Sequence, residues 1–304
     1  LSPNEMKMLL FLMHNEGKAL SRDELLNQIW GYNDEVEKRE VMNMDYVQLA
    51  KKIETIARNA GLKITSAVSK EIMEKGGSAD IVTNMDLASQ RYIMSECAKL
   101  IPESTFIAEE DNVRNISDGY TWVIDPIDGT TNYAYEYKHS CISIALLHQK
   151  RGVIGVVYNP YLNEAFVGVN GEGSRLNEQP IHLSQNKLRD ALVLIGTSPY
   201  HKEKADMTFD LAKRIFLNCR DIRRSGSAAM DLCYVASGRV DAYYEESLSP
   251  WDFAAGEVIL RNAGGKLHVL EPETFNYDHP IGLVAANQEC FEDMVKLIEE
   301  GRHE

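Results

Sequence analysis

The spacing of apolar positions changes character several times along the chain, and each change predicts a different element. In residues 1–32, Leu9, Leu10, Leu12 and Met13 follow Ser2-Pro3-Asn4-Glu5, a cap, a proline at the first helical position and a first-turn acid. Gly17 stops that helix. Ser21-Arg22-Asp23-Glu24 is a capping box leading into Leu25, Leu26, Ile29 and Trp30, a second helix. After a mixed-charge linker, Tyr46, Val47, Leu49, Ala50, Ile53, Ile56 and Ala57 recur near helical spacing, and Gly61 is expected to end this helix. Residues 64–72 read as an extended edge, and 75–86 as a glycine-marked loop that gives way at Asp86 to a helix reaching about Leu100.

From there short β-type runs dominate: 105–108, 122–124, 141–147, 153–157 and 165–169, separated by polar or glycine-rich turns, with 180–183 as a further short strand. The later runs predict an antiparallel meander. The second half alternates: strand 191–195, helix 205–217, a helix ending near Ser237, strand 240–244, a helix starting at Asp252, strands 266–270 and 281–286, and helix 288–300.

At 304 residues, the chain is long enough to bury a substantial core as one large domain or two smaller ones. A net charge of −14 argues against broad nucleic-acid or anionic-membrane binding. The five cysteines are scattered, odd in number and without a Cys-x-x-Cys spacing, which fits reduced thiols in a cytoplasmic protein. No apolar run reaches membrane-spanning length, and no secretory leader is visible. The chain opens on Leu1 rather than Met, as expected of an N-terminus that has been lost or processed. The eight histidines show no ligand spacing, and there is no nucleophile elbow, P-loop or dinucleotide fingerprint.

The chemistry concentrates in Trp122-Val123-Ile124-Asp125-Pro126-Ile127-Asp128-Gly129-Thr130-Thr131-Asn132. An apolar strand ends in Asp-Pro, where Pro126 cannot donate to a ladder. Asp125 and Asp128 offer hard oxygen ligands suited to Mg²⁺ or Mn²⁺, Gly129 permits close approach, and Thr130, Thr131 and Asn132 are good helix caps. Taken as dipeptides, Asp-Pro and Asp-Gly are ordinary turns. The whole stretch resembles the metal-binding signature of the inositol monophosphatase family, lithium-sensitive and magnesium-dependent phosphatases. Further stretches match in order: Phe106-Ile107-Ala108-Glu109-Glu110, the turn around Gly226-Ser227-Ala228, Glu245 after a strand, and Trp251-Asp252-Phe253-Ala254-Ala255-Gly256 followed by Asn262-Ala263-Gly264-Gly265. The resemblance covers roughly Met44 to the C-terminus.

That resemblance implies a layered αβαβα sandwich of the inositol monophosphatase/fructose-1,6-bisphosphatase type. Its N-terminal α+β half would span 44–185 and its C-terminal α/β half 186–304, with the site between them. It implies two to three Mg²⁺ ions, with Mn²⁺ as a substitute. Glu109, Asp125 and the Ile127 carbonyl would hold one ion, Asp125, Asp128 and Asp252 a second, and a third would bind weakly near Glu109. Asp86 and Thr130 would orient the attacking water. The phosphate would lie on the N–H groups of Gly129 and Thr130 at the positive end of the following helix, while Gly226, Ser227, Ala228 and Glu245 would touch the substrate. Lys75 matches a loop lysine near the metals, and Glu110 neighbours Glu109. The implied activity is hydrolysis of inositol monophosphate, with related sugar, histidinol or 3′-phosphoadenosine 5′-phosphate esters as alternatives, in a homodimer. A non-catalytic regulator on the same fold is the competing expectation.

Residues 1–43 are expected to form a helical extension and linker. Leu1-Ser2-Pro3-Asn4-Glu5 and Ser21-Arg22-Asp23-Glu24-Leu25-Leu26…Trp30-Gly31-Tyr32 resemble the opening of the winged-helix domain of response regulators. That domain's recognition helix and basic wing do not follow, so no element is expected to enter a DNA groove.

Overall fold

The computed structural model describes residues 44–67, 71–77, 80–110, 113–270 and 273–303, so the two helices expected in 1–32 lie outside the described residues. From Tyr46 onward the chain is one compact unit.

Helix α1, Tyr46–Thr65, is longer than its sequence pattern predicts because Gly61 does not end it. Gly61 serves close packing instead: a Cβ there would lie 2.6 Å from the Tyr158 ring. The 64–72 stretch expected to be extended is therefore helical at its start. It leads to a hairpin, β1 (Ile72–Gly77) against β2 (Asp80–Thr83), where a loop was expected. Helix α2, Asn84–Leu100, starts two residues before Asp86, because Thr83 caps it and Asp86 closes the capping box.

Strands β3 (Thr105–Ala108), β4 (Val113–Arg114), β5 (Tyr120–Asp128), β6 (Cys141–His148), β7 (Arg151–Asn159), β8 (Glu164–Val169), β9 (Gly173–Leu176) and β10 (Gln179–Pro180) form an eight-stranded sheet in the order β10-β9-β8-β7-β6-β5-β3-β4. The meander from β5 to β10 is antiparallel as expected, and β3 lies parallel to β5. The five-stranded sheet has the order β12-β11-β13-β15-β14, from β11 (Leu192–Ile195), β12 (Asp221–Arg223), β13 (Ala242–Leu248), β14 (Lys266–Val269) and β15 (Ile281–Ala286).

Helices α1 and α2 cover one face of the large sheet. Between the sheets lie α5 (Ala228–Ala236) and α6 (Pro250–Asn262), and beyond the small sheet lie α4 (Ala205–Asn218) and α7 (Phe291–Arg302). The result is the expected αβαβα layering. One apolar cluster joins Val123, Ala145, Val157 and Phe166 of the large sheet to α5, α6, β13 and β15, and a second joins the small sheet to α4 and α7. Among the described residues no helix is long and apolar enough to cross a membrane.

The seat of α6 matters because this helix carries Asp252. Its backbone rests directly on the sheet: a Cβ on Gly155 of β7 would lie 2.3 Å from the Ala255 carbonyl oxygen, and one on Gly168 would lie 2.7 Å from Ile259 Cα. Backbone cannot swing aside as a flexible side chain can. Gly155→Ala is therefore expected to destabilise the protein by about 3 kcal/mol, lowering the melting temperature by roughly 5 °C in a thermal scan. An unchanged melting temperature would show that α6 can lift from the sheet.

Candidate active site

The end of β5 is where the main motif folds. The strand does not stop at Asp-Pro but continues to Asp128 through an irregularity, with Asp125 opposite Ser143 and Asp128 opposite Cys141. Pro126 cannot donate to β6, so the ladder breaks between the two aspartates and resumes after them. The Ile127 N–H donates to Asp125 Oδ1 at 3.0 Å. Gly129 takes φ +87° and is the N-cap of α3, Thr130–Ala134, without a side-chain cap bond. The threonines and Asn132, expected as caps, lie inside the helix instead, because the left-handed turn that redirects the chain at this point suits glycine. At five residues, α3 contributes little of the macrodipole expected to favour a phosphate.

Asp125 and Asp128 are buried, and Asp252 joins them from the first turn of α6; their nearest oxygens all lie within 4.8 Å of one another. Each is anchored through one side of its carboxyl. Asp128 Oδ2 accepts from Ser227 Oγ at 2.5 Å and Ala229 N at 2.8 Å, and Asp252 Oδ2 accepts from Ser249 N at 2.7 Å. Burial, then the charges of Glu109, Asp128 and Asp252, push Asp125 well above the usual carboxylate range. Burial followed by the Asp128 and Glu109 charges does the same to Asp252. A buried group of hard oxygens that resist ionising together fits a divalent cation such as Mg²⁺.

Glu109, from the end of β3, stands outside that trio and faces Lys75 of β1, whose Nζ lies 3.3 Å from Glu109 Oε1 and 2.7 Å from Glu110. Burial is the larger influence and raises Glu109 to about 7, with Lys75 opposing it. Behind the trio, Thr130 Oγ1 lies 3.1 Å from both Asp86 Oδ1 and the Ile127 carbonyl oxygen. Asp86 Oδ2 accepts from the Thr83 N–H at 2.8 Å and its hydroxyl at 2.5 Å.

Lys75, Glu109, Glu110, Asp125, Asp128, Thr130 and Asp252 line one cleft of about 1360 Å³, and Asp86 sits behind Thr130. Gly129, Gly226, Ser227, Ala228 and Glu245 line it as well. Glu245 is held by Tyr243, whose hydroxyl donates to Oε2 at 2.5 Å, and by the Ser198 N–H, which donates to Oε1 at 2.8 Å. Sequence reading missed three supports. Ser198 is buried with φ +39°, a rare backbone state for a serine. Asp231 lines the cleft and accepts from Ser225 Oγ at 2.5 Å. Arg224 lines it with its guanidinium donating to Thr197 Oγ1. The Ser-Pro dipeptide at 198–199 marks a turn but not its partner, and a lone buried acid within an apolar helix was the available clue to Asp231.

The model of the inositol monophosphatase family matches residues 41–303. A model described as the C-terminal part of transcriptional regulatory proteins matches residues 1–61. Of that second match, 46–61 belong to α1, which packs on the large sheet, and 1–43 lie outside the described residues. A protein of Salmonella typhimurium named Nus factor SuhB is 40% identical over 221 residues, 69% of this chain and 82% of that protein. An inositol-1-monophosphatase of Synechocystis is 40% identical over 210 residues, 68% of this chain and 73% of its own length. The solved inositol monophosphatase of Anabaena superposes with a TM-score of 0.74 at 31% identity, covering 84% of this chain and 97% of that one.

Proposed function

The chain belongs to the inositol monophosphatase family, and from that premise we propose that it is a Mg²⁺-dependent phosphomonoesterase acting on inositol 1-phosphate. One observation carries the reading: the Asp125, Asp128 and Asp252 oxygens gather within 4.8 Å beside a threonine backed by a buried acid. The name of the Synechocystis relative favours inositol 1-phosphate over the sugar and nucleotide esters.

In this reading Asp125, Asp128 and Asp252 would hold one Mg²⁺, and Asp125, Glu109 and the Ile127 carbonyl would hold another. Bound there, the cation neutralises the acidic cluster and lowers the pKa of water. The protein's own groups do the rest. The Thr130 hydroxyl has one proton and two acceptors, each at 3.1 Å. Given to Asp86, that proton leaves an oxygen lone pair facing the cleft, able to accept from a water molecule and aim it at phosphorus. Gly129 and Thr130 approach the phosphate, segment 226–228 contacts the ester, and Glu245, with Tyr243 and Ser198 fixing its oxygens, accepts from a substrate hydroxyl. Lys75, which now faces both Glu109 and Glu110, would keep Glu110 as a partner if Glu109 were given to a cation. Sensitivity to Li⁺ and assembly as a homodimer belong to the same reading.

The name of the Salmonella relative, a Nus factor, favours a second reading, a regulatory protein on the same fold. Phosphate release separates the two. With inositol 1-phosphate, fructose 1,6-bisphosphate, histidinol phosphate and 3′-phosphoadenosine 5′-phosphate offered in turn, Mg²⁺-dependent release with inositol 1-phosphate preferred is expected. No release from any of them by folded protein would reject the enzyme reading.

A further inference from the structure

The last residue of the motif has no part in the chemistry above, yet its side chain reaches three carbonyls on two separate pieces of backbone. Asn132, only 9% exposed, donates from Nδ2 to the His139 carbonyl at 2.7 Å, the Ser225 carbonyl at 2.9 Å and the Gly226 carbonyl at 3.3 Å. The amide has two protons, so the longest contact shares one of them.

The surrounding backbone is packed to the limit. A Cβ on Gly129 would lie 3.0 Å from the Gly226 carbonyl oxygen and 3.2 Å from that of His139, while one on Gly226 would lie 3.0 Å from Asn132 Nδ2. Gly226 itself takes φ +90°. The motif turn, the loop after α3 and the 225–226 turn therefore meet around one amide.

We propose that Asn132 is a positioning residue that sets segment 226–228, one wall of the substrate cleft, against the motif turn. Two side chains of the motif tie this region down, Asn132 to the turn and Asp128 to Ser227 and Ala229 at the start of α5. Asp128 also belongs to the acidic trio, so its carboxyl serves both this tie and the proposed cation position. Asn132 carries no charge and stands outside the trio, and its tie does not change when a cation binds. Asp231 holds Ser225 from the α5 side but does not join it to the motif. Asn132 and its three partners stand outside the apolar clusters, so its loss loosens the wall of the cleft rather than the core.

The kinetic consequence rests on the phosphatase reading, whereas the structural consequence does not. In the full chain, Asn132→Asp keeps the shape but replaces the donor with a carboxylate facing three carbonyls, and Asn132→Ala removes the group. Both are expected to raise KM for inositol 1-phosphate about tenfold with kcat kept within about threefold, the pattern of lost uniform binding. Hydrogen–deuterium exchange at residues 225–229 should quicken about tenfold while that of β6 and β7 stays unchanged. Unaltered exchange at 225–229 would overturn the proposal. So would a fall in kcat at constant KM, or global unfolding of both variants, which would make the tie a structural one. If the unaltered protein hydrolyses no ester, the phosphatase reading fails and the exchange measurement alone decides the role of Asn132.

Discussion

Replacing Asp125 by Asn is expected to lower Mg²⁺-dependent phosphate release about a thousandfold or more while raising the melting temperature of the metal-free protein. The two effects have one cause. Asp125 is 2% exposed, and its charge is opposed by Glu109, Asp128, Asp252 and Asp86, so its carboxylate is poorly tolerated until a cation arrives. The asparagine keeps the side-chain oxygen that accepts the Ile127 N–H, and the volume hardly changes. What is lost is one negative charge shared between the two proposed cation positions. In the metal-free fold an aspartate here must either keep a proton it would lose in water or carry a charge that its surroundings oppose; asparagine does neither, so that fold gains, and a rise of a few degrees is the scale expected for about 1 to 2 kcal/mol. Phosphate release and a thermal scan on one preparation read both effects. Full activity would remove Asp125 from the metal site, and loss of activity with a lowered melting temperature would mean that the variant damages the fold rather than the chemistry.

The opposite signs of those effects explain why parts of this molecule were legible in its sequence and others were not. A run such as 141–147 or 153–157 is apolar because both faces of the sheet are covered, by α1 on one side and α6 on the other, and burial of that kind leaves a continuous apolar signature. The carboxylates were legible only through the long motifs that hold them: taken singly, Asp125 and Asp128 look like turn residues and Asp252 like a helix cap, although the first two are buried and the third half-buried. Gly61 was misread because a glycine needed for contact with Tyr158 looks the same in sequence as one that ends a helix. The hairpin β1–β2 was read as a loop because two short strands with glycines at their turn carry little apolar periodicity. Ser198 was invisible, since it acts on Glu245 from 47 residues away and nothing in the local pattern reports so distant a partner, whereas Asp231 left only the clue of an acid in an apolar helix. The same holds for Asn132, whose place in the motif was plain but two of whose three acceptors lie 93 and 94 residues further on.

The acidic cluster should also invert the usual pH dependence of stability. Glu109 has an ordinary value of 4.5 and stands at about 7 in the folded, metal-free protein, raised first by burial and then by the charges of Glu110 and Asp86, against the pull of Lys75. Between those values the folded state binds more protons than the unfolded state, so stability falls as pH rises through the window and the full penalty is present above it. Asp125 and Asp252, raised well above their ordinary values, add to the slope in the same direction. His139 works the other way: burial lowers it below its ordinary 6.5, so its contribution rises with pH and is complete above that value. Protein stripped of metal with a chelator is accordingly expected to melt lower at pH 8 than at pH 6.5, by about 1 to 2 °C from Glu109 alone, with His139 opposing the carboxyls below its ordinary value. Mg²⁺ selects the ionised carboxylates and must displace their protons to bind, so the stabilisation it gives should be larger at pH 8 than at pH 6.5 and should bring the two melting temperatures together. Thermal scans at the two pH values, with chelator and with saturating Mg²⁺, test both halves. A metal-free melting temperature that rises towards pH 8, or a Mg²⁺ effect of the same size at both values, would show that these carboxyls are already ionised without a cation, and the electrostatic case for a metal centre at Asp125, Asp128 and Asp252 would fall with it.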